Sequence, residues 1–153
     1  YVSVDAADRA TFDRVVRAVE DDAWERLVET MDVLADKDCR TVLRTTCMAN
    51  WNMENPDWYA AFYRRADPDF VELKAYMHVG HSRGRLDRDS MPEHERVLEF
   101  AEDVMEHMPE HDVLKGVPPS RVALLSKTED TWVPKLKKDS AFWERDPVVG
   151  TGD

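Results

Sequence analysis

Residues Asp69 to Glu95 read DFVELKAYMHVGHSRGRLDRDSMPEHE, and the first half of this stretch can fold in few ways. Side chains on a strand alternate between its two faces. One face carries Val71, Leu73, Ala75, Met77 and Val79; the other carries Phe70, Glu72, Lys74, Tyr76 and His78. The first face needs helices packed on it. The second needs a use, because interior charges cost several kcal/mol unless they are paired or employed. The titratable face is therefore predicted to line a polar cavity. A basic, histidine-bearing loop follows. Ser90-Met91-Pro92-Glu93 then reads as a capping box opening a helix, with Val97, Ala101, Val104, Met105 and Met108 as its buried stripe until Pro109.

The remaining segments alternate in the same way. Tyr1-Val2-Ser3-Val4-Asp5 has a strand pattern, and Phe12, Val15, Val16 and Val19 fall on one helical face. After Glu20-Asp21-Asp22, a second helix carries Trp24, Leu27, Val28, Met31 and Leu34 at core spacing. Arg40 to Met48 is a second strand, and Pro56 opens a short helix with Trp58, Tyr59 and Phe62. Val113-Leu114 and Arg121 to Ser126 are two short strands around the Pro118-Pro119 turn. The tail after Lys127, with Trp132, Phe142 and Trp143 among charges and prolines, is expected to pack irregularly. Strands joined by helices at this spacing make right-handed βαβ units and a parallel sheet, here an α/β half-barrel. The opening strand suggests a fragment whose preceding part supplies more sheet.

Chemistry in such barrels collects at the C-terminal ends of the strands. Those ends are Ser3 to Asp5, Thr46 to Asn52 and Tyr76 to Arg85. If Tyr1, Ser3, Asp5, Arg44, Thr46, Met48, Glu72, Lys74, Tyr76 and His78 share the interior, the set can hold a ligand with a ribose, an amine and a carboxylate. A closed ion-pair network of Arg44, Glu72 and Lys74 would also account for the charges. Lys74 beside a carboxylate invites Schiff-base chemistry with a ketone, against the simpler Glu72–Lys74 pairing. His78, His81 and His94 with Asp87 and Asp89 match no zinc spacing, so no metal ligand is assigned. Arg83, Arg85 and Arg88 are spaced for phosphate contacts at the barrel mouth, or are solvated loop charges.

Composition narrows the partners. The 153 residues carry 32 acidic against 21 basic side chains, a net charge of −11. An acidic surface on an ordinary core is expected of a salt-adapted protein, and concentrated salt screens long-range fields, so acidity alone does not exclude RNA. No run of about twenty apolar residues suggests a membrane span. Cys39 and Cys47 fit a reducing cytoplasm and are too few for a metal cluster, with Cys47 reading as a small buried hydrophobe.

Several motifs together carry a resemblance. They are YVSVDA at the start, the helix around Trp24, RTVLRTT followed by Trp51-Asn52, PDFVELKAYMHVGHS from Pro68 to Ser82, MPEHE from Met91 to Glu95, and PSRVALL from Pro119 to Leu125. The chain from Tyr1 to about Lys127 closely resembles the C-terminal half of the radical-SAM 4-demethylwyosine synthases of archaea and eukaryotes. The resemblance implies the second half of a partial (βα) radical-SAM barrel over residues 1–80, a wyosine-formation segment over 81–127, and an irregular tail over 128–153. It implies S-adenosylmethionine and a 4Fe-4S cluster as cofactors. The implied reaction condenses pyruvate with N1-methylguanosine beside the anticodon of tRNA-Phe, in a cytoplasmic protein expected to be monomeric at full length.

By the same resemblance, Ser3, Asp5, Arg44, Asn52, Tyr76 and His78 would hold the cosubstrate. Lys74 would line the cavity as the candidate catalytic residue, and Arg83, Arg85 and Arg88 would meet the tRNA. The cluster motif CxxxCxxC is absent from this sequence, so the cluster ligands are expected outside it. Met48-Ala49-Asn50 stands where relatives carry Val-Lys-Gly, and Arg17-Ala18 where they carry Arg-Pro. A non-catalytic piece that binds only tRNA or a partner protein, or a Schiff-base barrel lyase using Lys74, is the alternative expectation.

Overall fold

The computed structural model describes residues 1–128. The expected irregular tail, including Trp132, Phe142 and Trp143, lies outside them. The chain runs β1 (Val2–Ser3), α1 (Arg9–Val15), α2 (Ala23–Ala35), β2 (Val42–Cys47), α3 (Pro56–Arg65), β3 (Phe70–Ala75), α4 (His94–Met105), β4 (Val113–Val117) and β5 (Val122–Ser126), with short 3-10 turns at Gly80–Gly84, Arg88–Ser90 and Pro118–Ser120.

The strands form one sheet in the order β1-β2-β3-β5-β4. β1, β2 and β3 are parallel, as helical crossovers require. β5 runs antiparallel to β3, and β4 antiparallel to β5. The sheet is therefore mixed rather than wholly parallel, because the Pro118–Ser120 turn joins β4 and β5 directly as a hairpin. The α/β half-barrel expectation holds for the first three strands.

The helices pack on one face of this sheet. Leu43, Thr45 and Cys47 of β2, Val71, Leu73 and Ala75 of β3, and Ala123 and Leu125 of β5 are all buried there. Burying a side chain such as Leu73 contributes about 1.5–3 kcal/mol. Against them lie Tyr59, Ala60, Phe62 and Tyr63 of α3 and Val97, Phe100, Ala101 and Val104 of α4. Trp24 of α2 stacks on Phe62 with centroids 5.4 Å apart, and Tyr59 meets Phe100 edge-on at 5.5 Å. Thr45 is the one hydroxyl of β2 in this core. It donates to the Val4 carbonyl and accepts from the Tyr63 hydroxyl, so neither polar group is left unpaired. Cys47 is fully buried, as its small-hydrophobe reading requires.

Three local expectations need correction. α1 ends at Val15, with Arg17 in the left-handed region at φ 53°, so Val16 and Val19 leave the buried face and are 40% and 91% exposed. The alternation of β3 stops at Ala75, and Met77 and Val79 are solvent-exposed. The partner strand β2 ends at Cys47, leaving nothing for a longer strand to pair with. The Ser90 capping box does not form. Ser90 is buried inside a 3-10 turn, its carbonyl accepts the Ala49 N–H at 2.9 Å, and α4 starts instead after Glu93. Among the described residues, no helix is long and apolar enough to cross a membrane.

Candidate functional site: a polar face and the strand ends above it

The sheet face opposite the helices follows from the register. Ser3, Arg44, Glu72 and Leu124 form one cross-strand row, and Thr46, Lys74 and Val122 form the next toward the strand ends. The sequence had placed Ser3, Arg44, Thr46, Glu72 and Lys74 together, and they do share this face. The Arg44 guanidinium pairs with the Glu72 carboxylate at 3.1 Å, and the Tyr1 hydroxyl lies 3.5 Å from Glu72. Lys74 takes no part in this pair. It is half-buried, and among the described residues its ammonium has no hydrogen-bond or ion-pair partner. The three-member closed network is thus reduced to Arg44 and Glu72, and one cation on the face stays uncompensated.

Asp5 stands just beyond β1. Its Oδ1 accepts the Thr46 N–H at 2.7 Å. Burial raises its pKa above the ordinary carboxyl value, while the hydrogen bonds from Thr46 and the charge of Arg44 oppose that rise. The loop after β2 is tied down by Asn52, which is 2% exposed. Its Oδ1 accepts the Met48 N–H at 2.7 Å, and its Nδ2 donates to the carbonyls of Thr46 at 2.8 Å and Asp5 at 3.0 Å. Its carboxamide is occupied on both ends, so Asn52 shapes the site by positioning the ends of β1 and β2. This role was not legible from sequence; the i to i+4 spacing of Met48 and Asn52 around Asn50 (φ 62°) is the signal that marks the tight turn.

Beyond β3, Tyr76 is buried among Val15, Met48 and Leu86. Its hydroxyl donates to Ser82 Oγ at 2.9 Å and lies 3.2 Å from His78 Nδ1, while Ser82 Oγ donates to the Val79 carbonyl at 2.7 Å. Tyr76, His78 and Ser82 therefore form one relay of polar groups above the strand end. Arg83, Arg85 and Arg88 are exposed on the turns that follow.

A residue that sequence reasoning passed over joins them. Arg14 at the end of α1 donates to the Trp51 carbonyl and holds its guanidinium 5.7 Å from the Trp51 ring centroid. Among the described residues, no three His, Cys, Asp or Glu side chains converge as a metal site. His81 is exposed, and His94 is buried in α4 against Gly116 of β4. Cys39 and Cys47 lie on either side of β2, one before its start and one at its end, so they do not form a cluster-binding set.

The arrangement offers a carboxylate, a guanidinium, an unpaired ammonium and a tyrosine–histidine pair at the ends of parallel strands. Comparison with known proteins identifies the family. Residues 65–127 match a family model described as wyosine base formation. The S-adenosyl-L-methionine-dependent tRNA 4-demethylwyosine synthase of Pyrococcus horikoshii is 40% identical over 129 residues, covering 84% of this chain and 38% of that protein. The enzyme of the same name from Methanocaldococcus jannaschii is 35% identical over 136 residues, covering 89% of this chain and 42% of that protein. A solved TYW1 structure with a lysine–pyruvate adduct bound superposes with a TM-score of 0.73 at 34% identity, over 83% of this chain and 40% of that one. A crystal structure of archaeal TYW1 gives 0.65 at 30% identity, over 83% and 38%. The chain thus spans about two fifths of the length of the curated relatives it matches. It belongs to the family of S-adenosyl-L-methionine-dependent tRNA 4-demethylwyosine synthases, corresponding to their C-terminal part.

Proposed function

We propose that the chain supplies one side of the cosubstrate cavity and the wyosine-forming segment of a tRNA 4-demethylwyosine synthase. In this reading the intact enzyme condenses pyruvate with N1-methylguanosine beside the anticodon of tRNA-Phe. The observation that supports it most is the polar face of the sheet, where Arg44, Glu72 and Lys74 stand on neighbouring parallel strands and Asp5 follows the end of β1. Parallel strands are normally covered on both faces, so a face bearing half-buried charges fits a wall of a larger cavity.

The described residues fit S-adenosylmethionine in part. In this reading Asp5 accepts from a ribose hydroxyl or the amine, Arg44 meets the carboxylate, and Tyr76 with His78 borders the adenine. Ser3, exposed at the end of β1, completes this edge. Asn52, its carboxamide engaged with main-chain atoms, holds the ends of β1 and β2 in place for the ligand. Bound there, S-adenosylmethionine would supply the radical that opens the chemistry. The residues do not fit a 4Fe-4S cluster, since Cys39 and Cys47 cannot gather around one, and no step is assigned to a cluster on this chain. Isothermal titration of S-adenosylmethionine into the full-length protein tests the site. Asp5→Asn and Arg44→Ala should each weaken binding by about tenfold or more, the loss of one charged hydrogen bond. Unchanged binding in both would remove the assignment.

Lys74 has two readings. As a fixed cation it attracts the carboxylate of a small acid such as pyruvate. As a nucleophile its amine would condense with the ketone of pyruvate and release water, a reading prompted by the lysine–pyruvate adduct of the structural relative. We favour the electrostatic role, because among the described residues no base pairs with the Lys74 ammonium to take the proton that a nucleophilic amine must first lose. Borohydride trapping with pyruvate and peptide mass analysis decides between them: the electrostatic role predicts no mass shift at Lys74, and a reduced adduct there would overturn it.

A further inference from the structure

We propose that the cleft between the C-terminal end of α1 and the turn at Arg85 clasps a backbone phosphodiester of the RNA substrate. It does so through Arg14, Arg17 and Arg85, over a floor of Met48, Trp51 and Leu86. This inference rests on the tRNA-modifying reading above and assigns it an RNA-contacting surface.

The distribution of arginine partners carries the argument. Arg9, Arg26, Arg44, Arg64, Arg65, Arg96 and Arg121 each hold a carboxylate. Arg17 and Arg85 hold none and make no side-chain hydrogen bond among the described residues, although the chain has 32 acidic side chains to offer. Among the described residues, no carboxylate lines the cleft where they meet Arg14. Like charges gathered without a counter-ion repel one another, and an anion removes that cost.

Backbone geometry adds a second observation. Arg17 adopts φ 53°, a left-handed conformation that disfavours any side chain but glycine's by about 1–2 kcal/mol. That turn closes α1 and puts Arg17 among the residues lining the cleft. Arg14 is already oriented by the Trp51 carbonyl and ring, so its guanidinium needs no reorganisation to receive an anion.

Size selects the ligand. The cleft has room for about one water-sized group, some 10 Å³, within a space of about 220 Å³ that is continuous with solvent. That room fits a single oxygen-sized group, not a nucleoside. A phosphodiester crossing the opening can lower one oxygen between the guanidinium forks while its sugars stay in solvent. The planar forks match phosphate oxygens in pairs. Arg83 and Arg88 are exposed on the turns either side of Arg85.

The test uses full-length protein and a tRNA-Phe transcript, with affinity measured across a salt series in which circular dichroism shows each variant folded. Arg17→Ala with Arg85→Ala should weaken binding about tenfold and make the plot of log affinity against log salt shallower by about one, the signature of one lost phosphate contact. Arg17→Lys with Arg85→Lys should restore most of that slope, and Arg26→Ala with Arg96→Ala should leave it unchanged. Wild-type affinity and slope in the double-alanine variant overturn the proposal while leaving the tRNA-modifying reading intact. Inorganic phosphate bound by wild type but not by the double-alanine variant, with RNA affinity equal in both, would mark a free-anion site and overturn it equally. No RNA binding by wild type removes both readings.

Discussion

The carboxamide of Asn52 donates to the main-chain carbonyl of Asp5 at 3.0 Å, linking the loop after β2 to the end of β1 across 47 positions of sequence. Two further bonds, to Thr46 and Met48, make the same side chain the fastener of two strand ends. Asp5 itself closes the circle through the Thr46 N–H. The position of the candidate cosubstrate carboxylate is therefore set by a residue whose own carboxamide is engaged with main-chain atoms.

Removing that fastener should be costly. Asn52→Ala leaves the Met48 N–H and two carbonyls without these partners in a buried setting, a loss of about 2–4 kcal/mol. Urea unfolding of the full-length protein measures it directly. A change below about 0.5 kcal/mol would mean that the three bonds are replaced by others.

Asp5 should also be visible in the pH dependence of stability. Its folded pKa is raised, chiefly by burial, above the ordinary value of 3.8. Below that value both folded and unfolded states carry the proton and the contribution is complete. As pH rises, the unfolded chain ionises first, and stability is lost until the folded carboxyl ionises too. Asp5→Asn keeps an acceptor for Thr46 but cannot ionise. Wild type should therefore lose stability relative to Asp5→Asn as pH rises above the ordinary carboxyl value of 3.8. A flat difference between the two proteins contradicts the burial of this carboxylate.

His111 should act with the opposite sign. It is 1% exposed, its Nε2 lies 3.0 Å from the Pro68 carbonyl, and its Nδ1 has no partner. Burial first, and then the charge of Lys127, lowers its pKa below 6.5. Its contribution is complete above 6.5 and is lost as pH falls through the folded value, because the unfolded chain takes up a proton before the core does. Replacement by Gln should flatten the decline of stability as pH falls below 6.5. An unchanged slope would show that His111 titrates as it does in water.

Much of this was legible in the chain. The two-faced pattern of β3 located both the helix-covered side and the polar side, because a period of two survives any arrangement of neighbours. What alternation could not show was where β3 stops, since that depends on β2 ending at Cys47 and β5 pairing only from Val122 to Ser126. The early end of α1 was hidden for a related reason: Arg17 takes a left-handed conformation that sequence rules reserve for glycine or asparagine. Ser90 carried a capping signal yet is consumed by a contact with Ala49, a tertiary bond that no local motif encodes. In the site, residue types announced Asp5, Arg44, Glu72 and Lys74, but only the register decided that Glu72 pairs with Arg44 and leaves Lys74 alone. Arg14 and Trp51, distant in sequence and unremarkable singly, became a unit only through the fold.

The central claim is that these strand ends belong to an enzyme that builds 4-demethylwyosine. Full-length protein, reconstituted with iron and sulfide without oxygen, should be incubated with S-adenosylmethionine, pyruvate and tRNA-Phe carrying N1-methylguanosine. Mass analysis of the digested tRNA then reads the outcome. The account predicts a nucleoside with the mass of 4-demethylwyosine, formed by wild type and reduced about tenfold or more by Asp5→Asn. N1-methylguanosine left intact by a reconstituted protein that binds both S-adenosylmethionine and the tRNA would contradict it.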